Sequence, residues 1–246
     1  MEWSNLITDP YERKARLYPA LLLISPMVAS GMTVFSDNIV TLQSLGFAAL
    51  GPPSAFFLAQ IARDFGKQCE KKLYSSWGGM PSVTILRHRN EQLTAITKDR
   101  YHRTLSRLLN TIAPTLEDER TDPDGADKIY LAWSDYLRTN TRDKKFDLLH
   151  KENISYGYRR NVCGLRLVGI VASVAGSFIS AIRLYQVYTS DDQLDMASTV
   201  TGTYSFVLLI FWLFYFTGEW VRVPAECYAQ RLVESLDVLY PRQTNN

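Results

Sequence analysis

The segment TYSFVLLIFWLFYF, which runs from Thr203 to Phe216, is apolar on every side of the helix that it predicts. A helix at the surface of a soluble protein keeps a polar face, whereas a helix that is hydrophobic all round is buried or lies in a membrane. The segment belongs to a run without charged residues from Met196 to Thr217. Because about 20 apolar residues are enough for a helix to cross the hydrocarbon of a bilayer, this stretch predicts a transmembrane helix.

Three further apolar runs are long enough to cross a bilayer. Leu17 to Phe35 and Ile39 to Ala62 carry no charge, and Leu167 to Tyr188 is interrupted only by Arg183. Apolar runs of about 18 residues or more favour membrane spans over the alternative, which is a set of buried helices in a soluble core. The predicted fold class is an all-α integral membrane protein with four transmembrane helices in two hairpins and a mainly helical cytosolic domain between helices 2 and 3.

The average composition hides this division of the chain. A mean hydropathy of −0.12 and a formal net charge of +2 over 246 residues would suit a soluble protein. Of the 27 Lys and Arg residues, however, 20 lie between Arg63 and Arg166. The chain therefore has apolar ends and a polar middle.

The short loops predict the orientation. Residues 36–38 and 189–195 join the paired spans and contain no Lys or Arg, whereas the N-terminal flank and both ends of the polar segment are basic. Basic loops stay on the cytoplasmic side, so we expect a multi-pass protein of the cell inner (cytoplasmic) membrane with both termini cytosolic. The first apolar run starts late and is long, which argues against a cleaved signal peptide. The predicted domains are a cytosolic flank (1–16), a transmembrane hairpin (17–62), a cytosolic helical domain (63–166), a second hairpin (167–217) and a cytosolic tail (218–246).

The polar segment is expected to be helical, apart from an extended connector at Ser82 to Asn90. Residues 98–112 form an amphipathic pattern whose apolar face, Tyr101, Leu105, Leu108 and Ile112, predicts packing against a core. The opposite face is basic and would contact phosphate from a headgroup, a nucleotide or nucleic acid, or else remain solvated. Its arginines are Arg100, Arg103 and Arg107.

A ligand pocket is predicted where the first polar helix stops at Gly78 and Gly79. An aromatic side chain precedes this stop, and the sequence LRHR follows shortly after it. Arginine side chains beside an aromatic wall suit an anionic ligand such as phosphate or a nucleotide. The alternative is a helix stop that contacts lipid headgroups. The candidate binding residues are Trp77, Arg87, His88 and Arg89.

The predicted spans carry residues suited to kinks and close packing. Broken helices persist in membranes where they pack against protein or line a wet cavity, and small residues let helices approach closely. Arg183 would reach the outer surface or face a water-filled path. The candidate packing or pore residues are Gly51, Pro52, Pro53, Gly169, Ser173, Ser177 and Arg183.

The segment between the polar domain and the third span contains no proline and no cluster of turn residues. If it is one helix, movement at its cytosolic end is transmitted to the span; the alternative is that a helix is simply the shortest connection. The candidate coupling residues are Tyr156, Tyr158, Arg159 and Arg160.

Motifs for chemistry are absent from the sequence. We find no dinucleotide or P-loop glycine motif, no zinc-protease motif and no nucleophile elbow, and the spans hold no cluster of His, Asp or Glu. The expectation is therefore no enzyme, no catalytic residue, no metal and no cofactor. The histidines, His88, His102 and His150, are expected to be ordinary surface or interface residues, and the three cysteines are expected to stay reduced in the cytosol.

By architecture the chain resembles the small four-helix membrane effectors proposed in bacterial anti-phage systems. That resemblance implies an oligomeric effector or channel whose cytosolic domain senses a signal or partner and whose spans alter membrane permeability. The alternative is a non-conducting membrane-anchored adaptor that recruits a partner through its basic helical face. The expected partners are the lipid bilayer, further copies of the chain and a cytosolic protein, and a nucleotide or nucleic acid stays open as a partner although no motif supports it.

Overall fold

The computed structural model describes residues 8–34, 51–190 and 195–241, and all regular structure within these residues is helical. A π-helical turn, Glu12–Leu17, leads into the first helix, a 3-10 turn, Lys144–Phe146, leads into the seventh, and a π-helical turn, Phe211–Tyr215, continues the ninth. The helices are α1 (Tyr18–Val34), α2 (Pro52–Ser76), α3 (Pro81–Thr84), α4 (Ala95–Leu109), α5 (Leu116–Thr121), α6 (Pro123–Asn140), α7 (Asp147–Gly164), α8 (Arg166–Thr189), α9 (Met196–Ile210) and α10 (Gly218–Leu239).

Among the described residues, three helical stretches are long and apolar enough to cross a membrane: Glu12–Val34, Arg166–Thr189 and Met196–Tyr215. They coincide with the first, third and fourth apolar runs of the sequence and indicate a membrane protein. Of the second predicted span, residues 39–50 lie outside the described residues, and the remainder forms the start of α2.

The described residues divide into two compact units. The span unit comprises the chain up to Glu70 and Gly157–Val221, and the polar unit comprises Lys71–Tyr156 and the chain from Arg222 onwards. Helices α2, α7 and α10 each have residues in both units. The C-terminal segment therefore belongs to the same unit as most of the polar middle.

In the span unit, α8 packs against α1 and α9 through small residues. A side chain added at Gly169 would overlap the indole of Trp212. One added at Gly176 would place its Cβ 2.9 Å from both Pro26 Cβ and Ser205 Oγ. Glycine is needed at these positions because neighbouring side chains of the same chain already occupy the space.

Two polar side chains satisfy backbone carbonyls that the helices leave open. Pro26 has no N–H to donate to the carbonyl of Leu22, and the hydroxyl of Ser25 donates to that oxygen over 2.8 Å. The π-helical end of α9 receives Arg166, which donates to the carbonyls of Trp212 and Leu213 over 2.9 and 2.6 Å. Carbonyl groups at interruptions of the spans are thus hydrogen-bonded within the unit.

The polar unit has its own hydrophobic core. Tyr130 and Trp133 of α6 are completely buried and meet ring to ring, with centroids 5.5 Å apart. Helix α4 contributes Tyr101 and Leu105 as its amphipathic pattern predicts. The C-terminal helix α10 completes this core with Ala229, Leu232, Val233 and Leu236.

Three local expectations for the polar unit are wrong. Ile112 is 87% exposed, because α4 ends at Leu109 and the left-handed Asn110 turns the chain away. His102 is buried, with Nε2 2.8 Å from the carbonyl of Leu86, instead of lying at the surface or an interface. The segment from Ser82 to Asn90 is not extended: Pro81 opens the short helix α3, and turns follow it.

Candidate functional site

A polar cleft of about 220 Å³ lies in the polar unit. Trp77 and Gly79 from the end of α2 form one part of its wall, and Arg87 and Arg89 from the loop after α3 form another. The remaining lining residues are Pro81, Thr84, Asn90, Gln92, Arg222 and Glu226. We call this feature the arginine cleft.

The glycine pair after α2 forms the turn beside Trp77. Gly78 has φ +77° and Gly79 has φ +140°, and the N–H of Gly79 donates to the carbonyl of Tyr74 over 2.8 Å. This is the Schellman arrangement, in which a left-handed glycine closes a helix. A Cβ on Gly79 would lie 2.9 Å from Arg87 Nη2, so the glycine lets the arginine approach the backbone.

Arg87 is held rigidly at the cleft. Its Nε and Nη2 donate to the two carboxylate oxygens of Asp127 over 2.9 and 2.5 Å, and its Nη1 donates to the carbonyl of Gly78 over 2.9 Å. A two-point arginine–carboxylate pair fixes the guanidinium plane. Arg87 therefore forms a fixed part of the cleft wall, and its positive charge is already paired with Asp127.

The loop that carries the cleft arginines is tied down by a buried lysine. The ammonium of Lys98 donates to the backbone carbonyls of Arg87, His88 and Asn90. Burial lowers the pKa of Lys98, although the negative charge of Glu119 opposes that shift. Lys98 thus acts as a positioning residue that holds the loop from beneath.

His88 points away from the cleft. Its backbone N–H donates to Glu119 over 2.7 Å, and its ring Nε2 lies 2.8 Å from the carbonyl of Pro114. The hydroxyl of Tyr130 donates to the same carboxylate oxygen of Glu119 over 2.7 Å. The structure therefore brings Trp77, Arg87 and Arg89 together at the cleft and places His88 in the support behind the loop.

The cleft keeps one net positive charge. Arg222 pairs with Glu226 over 2.7 Å, and Arg87 pairs with Asp127. Arg89 is exposed and has no hydrogen bond or ion pair with another described residue. Three arginines against two carboxylates leave an electropositive site in which Arg89 is the cation available to a ligand.

The arginines on α4 lie outside this cleft. Arg100 pairs with Asp237 over 3.0 Å, and Tyr101 donates its hydroxyl to the same carboxylate over 2.8 Å. Arg103 pairs with Asp99 over 2.6 Å, while Arg107 is exposed. Two of the three basic side chains on this face are therefore already neutralised within the unit.

The predicted span residues fall into three settings. Pro52 and Pro53 are the first residues of α2, and Gly51 forms the bend before them. Arg183 approaches Asp195, the N-cap of α9, with 3.9 Å between the charged atoms. The small residues Gly169, Ser173 and Ser177 of α8 form a row that we call the seam. Gly169 and Ser173 are buried within the span unit, and Ser177 is half-buried.

The interior of the span unit contains hydroxyl groups without partners. Ser173 and Ser205 are completely buried, and neither Oγ hydrogen-bonds to another described residue; the Oγ of Ser177 is in the same condition. Ser30, by contrast, donates to the carbonyl of Gly176 over 3.0 Å. Buried polar groups without partners call for a physical explanation, such as water or a second conformation.

The predicted coupling residues make contacts within their own units. Tyr156 lies in the polar unit, with its hydroxyl 3.0 Å from that of Tyr74. Tyr158 and Arg159 lie in the span unit beside Trp220, whose carbonyl accepts from Arg159 over 2.9 Å. Arg160 is buried and pairs with Glu70 over 3.0 Å. Helix α7 ends at Gly164, and α8 begins after the single intervening residue Leu165.

Sequence reasoning missed several residues of the site. Arg222 and Glu226 reach the cleft from the C-terminal helix, and Asp127 and Lys98 fix its arginines from α6 and α4. Among the described residues, no group of three His, Cys, Asp or Glu side chains is arranged to hold a metal ion. No protein-family model, curated protein or solved structure matches this chain. Its function must therefore be inferred from its own residues.

Proposed function

We propose that the protein is an effector of the cytoplasmic membrane in which a phosphate-bearing ligand binds the arginine cleft and the spans respond by changing membrane permeability. Both termini and the polar unit lie in the cytosol in this scheme, and several copies assemble in the bilayer. The observation that carries the proposal is the exposed Arg89 beside Trp77 in a cleft with net positive charge.

The size and chemistry of the cleft favour a particular ligand class. A volume of about 220 Å³ is below the ~300 Å³ at which pockets begin to enclose a drug-sized molecule. The cleft therefore suits a phosphate group with a small attached part, with Trp77 available to stack against a planar or apolar portion. Asn90 and Gln92 add amide donors and acceptors at the rim.

The hydroxyl groups inside the span unit support the proposed change in membrane permeability. The hydroxyl groups of Ser173 and Ser205 have no hydrogen-bond partner among the described residues. Polar groups without partners are costly in hydrocarbon, so these hydroxyls favour a second arrangement in which water or a neighbouring helix satisfies them. An assembly that opens this seam would supply a polar surface for permeation. The proposed role in anti-phage defence depends on the architectural resemblance alone.

Ligand binding tests the first half of the proposal. The full chain in lipid nanodiscs is titrated with inorganic phosphate, glycerol phosphate and nucleoside mono-, di- and triphosphates, with binding read by calorimetry. Arg89→Gln should weaken binding about tenfold, equivalent to about 1.4 kcal/mol, and reduce its salt dependence. Arg103→Gln is the matched control, because Arg103 is also exposed but lies on α4 and pairs with Asp99. Equal affinities of the two variants for these ligands would show that the cleft is not the binding site.

Membrane depolarisation tests the second half. Overproduction of the wild-type chain should depolarise cells, and Arg89→Gln should alter that response. The adaptor alternative predicts intact membrane potential together with capture of a partner by Arg100, Arg103 and Arg107. Since Arg100 and Arg103 are already paired with carboxylates, the cleft is the better-supported contact.

A further inference from the structure

Two cysteines meet where α2 and α7 cross in the span unit. The Sγ atoms of Cys69 and Cys163 are 3.4 Å apart although the residues are 94 positions apart in the chain. Both side chains are half-buried and neither is in a disulfide. The third cysteine, Cys227, is exposed and lies in the polar unit.

The crossing is tight because glycines lie on both helices. A Cβ on Gly164 would lie 2.5 Å from the carbonyl carbon of Phe65, and one on Gly66 would overlap the amide of Asn161. The buried pair of Glu70 and Arg160, 3.0 Å apart, lies at the same crossing. The two backbones are therefore held together on either side of the sulfur atoms.

We propose that Cys69 and Cys163 form a redox-sensitive dithiol that hydroperoxides convert into an intramolecular disulfide. A disulfide bond is about 2.05 Å long, so the sulfur atoms must approach by about 1.4 Å, which rotation of the two side chains can supply. The inference is independent of the arginine cleft and of the proposed permeability change.

The reaction needs only a hydroperoxide as oxidant. The thiolate of one cysteine attacks the peroxide, the O–O bond breaks, and a sulfenic acid and an alcohol result. The second thiol then attacks the sulfenic sulfur, the S–S bond forms, and water leaves. Two thiols and one hydroperoxide thus give one disulfide, one alcohol and one water.

Either thiol can make the first attack on the peroxide, and the other is then the resolving thiol. The Cys69 thiol donates to Cys163 Sγ, and this hydrogen bond and burial raise the pKa of the Cys163 thiol. The disulfide bond then joins α2 to α7 a few residues from the start of the span at Arg166.

Mass spectrometry of the oxidised full chain tests the proposal. Membranes containing the protein are exposed to hydrogen peroxide, remaining thiols are blocked with N-ethylmaleimide, and the chain is digested. We expect a peptide pair that links Cys69 to Cys163 and that dithiothreitol releases, with Cys227 of the same molecule still alkylated. Alkylation of both Cys69 and Cys163 under conditions that oxidise Cys227 would overturn the dithiol.

Dimedone, which labels sulfenic acids, tests the intermediate with variants that keep a small polar side chain. In Cys163→Ser or in Cys69→Ser, the remaining cysteine of the pair should accumulate label, because the resolving thiol is gone. Label no higher than that on Cys227 in both variants would overturn the sulfenic acid route. The cross-link test uses the wild-type chain and does not depend on how either variant folds.

Discussion

The guanidinium of Arg160 donates to the carboxylate of Glu70 over 3.0 Å, and both side chains are buried in the span unit. Arg160 also donates to the amide oxygen of Asn161, whose nitrogen in turn donates to the carbonyl of Ala15 over 2.6 Å. Three separate stretches of the chain therefore meet through one polar network. Such a network is costly to break, because the group that remains would be a buried, uncompensated charge.

Glu70→Ala should destabilise the protein by about 3–5 kcal/mol, since it leaves Arg160 buried without its carboxylate. Lys67→Ala is the matched control: Lys67 pairs with the same carboxylate over 2.7 Å, but its side chain is 55% exposed. An exposed pair contributes about 0–1 kcal/mol. Thermal unfolding in detergent measures the stability of both variants. Similar losses of stability would show that the buried pair contributes no more than the exposed one.

Gly169→Ala should destabilise the span unit by about 1–3 kcal/mol, because even a methyl group overlaps Trp212. Gly31→Ala in α1 is the control, since no atom of the described residues lies within 4 Å of its added Cβ, and alanine should gain up to about 1 kcal/mol of helix stability. Unfolding of the two proteins in the same detergent gives the comparison. Equal stability of the two variants would mean that α8 does not pack closely against Trp212 in the π-helical turn that continues α9.

Stability should fall as the pH drops from 6.5 towards 5. Burial is the main cause that lowers the pKa of His102 from its ordinary 6.5 to about 4, so in this interval the unfolded chain binds a proton that the folded chain does not. Proton uptake by the unfolded state favours unfolding, by about 2 kcal/mol over this range. His102→Gln keeps an N–H donor for Leu86 and removes the titrating group, so denaturant unfolding should lose most of this pH slope. An unchanged slope in the variant would assign the effect to other groups.

Reporter fusions test the orientation. A reporter after Asn246 or inserted near Gly125 should read as cytosolic, and one inserted in residues 191–195 should read as external, because the loop carries no Lys or Arg. Enzymatic reporters that are active on only one side of the membrane give the readout. A cytosolic signal from the loop would contradict the scheme with two hairpins.

Three glycines inserted between Tyr158 and Arg159 should uncouple any signal that α7 carries from the polar unit to α8. Each glycine costs about 1 kcal/mol of helix propensity, so the insert breaks the helix. Packing of Gly169 against Trp212 lies beyond the insert and should persist. The measurement is depolarisation of cells. If the protein with the insert depolarises cells as strongly as the wild type, α7 only connects the two units and carries no signal.

The sequence was sufficient for features that depend on neighbouring residues. Uncharged runs marked three helices able to span a membrane, and Gly78 and Gly79 marked the end of α2 because glycine adopts a left-handed conformation without steric cost. The proximity of Trp77 to Arg87 and Arg89 could also be predicted, since these residues are close in the chain and the glycine pair turns it between them.

Features that depend on distant parts of the chain could not be read from the sequence. Arg222 enters the cleft from a helix more than 100 residues away, and no local pattern distinguishes it from other basic residues. Trp212 fills the space beside Gly169, so a small-residue seam that could equally meet another protomer is occupied within the chain. His102 lies on a face that looks polar in the sequence, and it is covered by the loop with Leu86 and by the rings of Tyr130 and Trp133.

The participation of α10 in the core of the polar unit limits how this protein can be divided or recombined. A fragment of residues 71–156 would lack Leu232, Val233 and Leu236, and its hydrophobic interior would open to water. It would also lack Arg222, one wall of the cleft. The polar unit cannot be transplanted as a single contiguous segment, and a chimaera that exchanges it must carry two separate stretches of chain from the same parent.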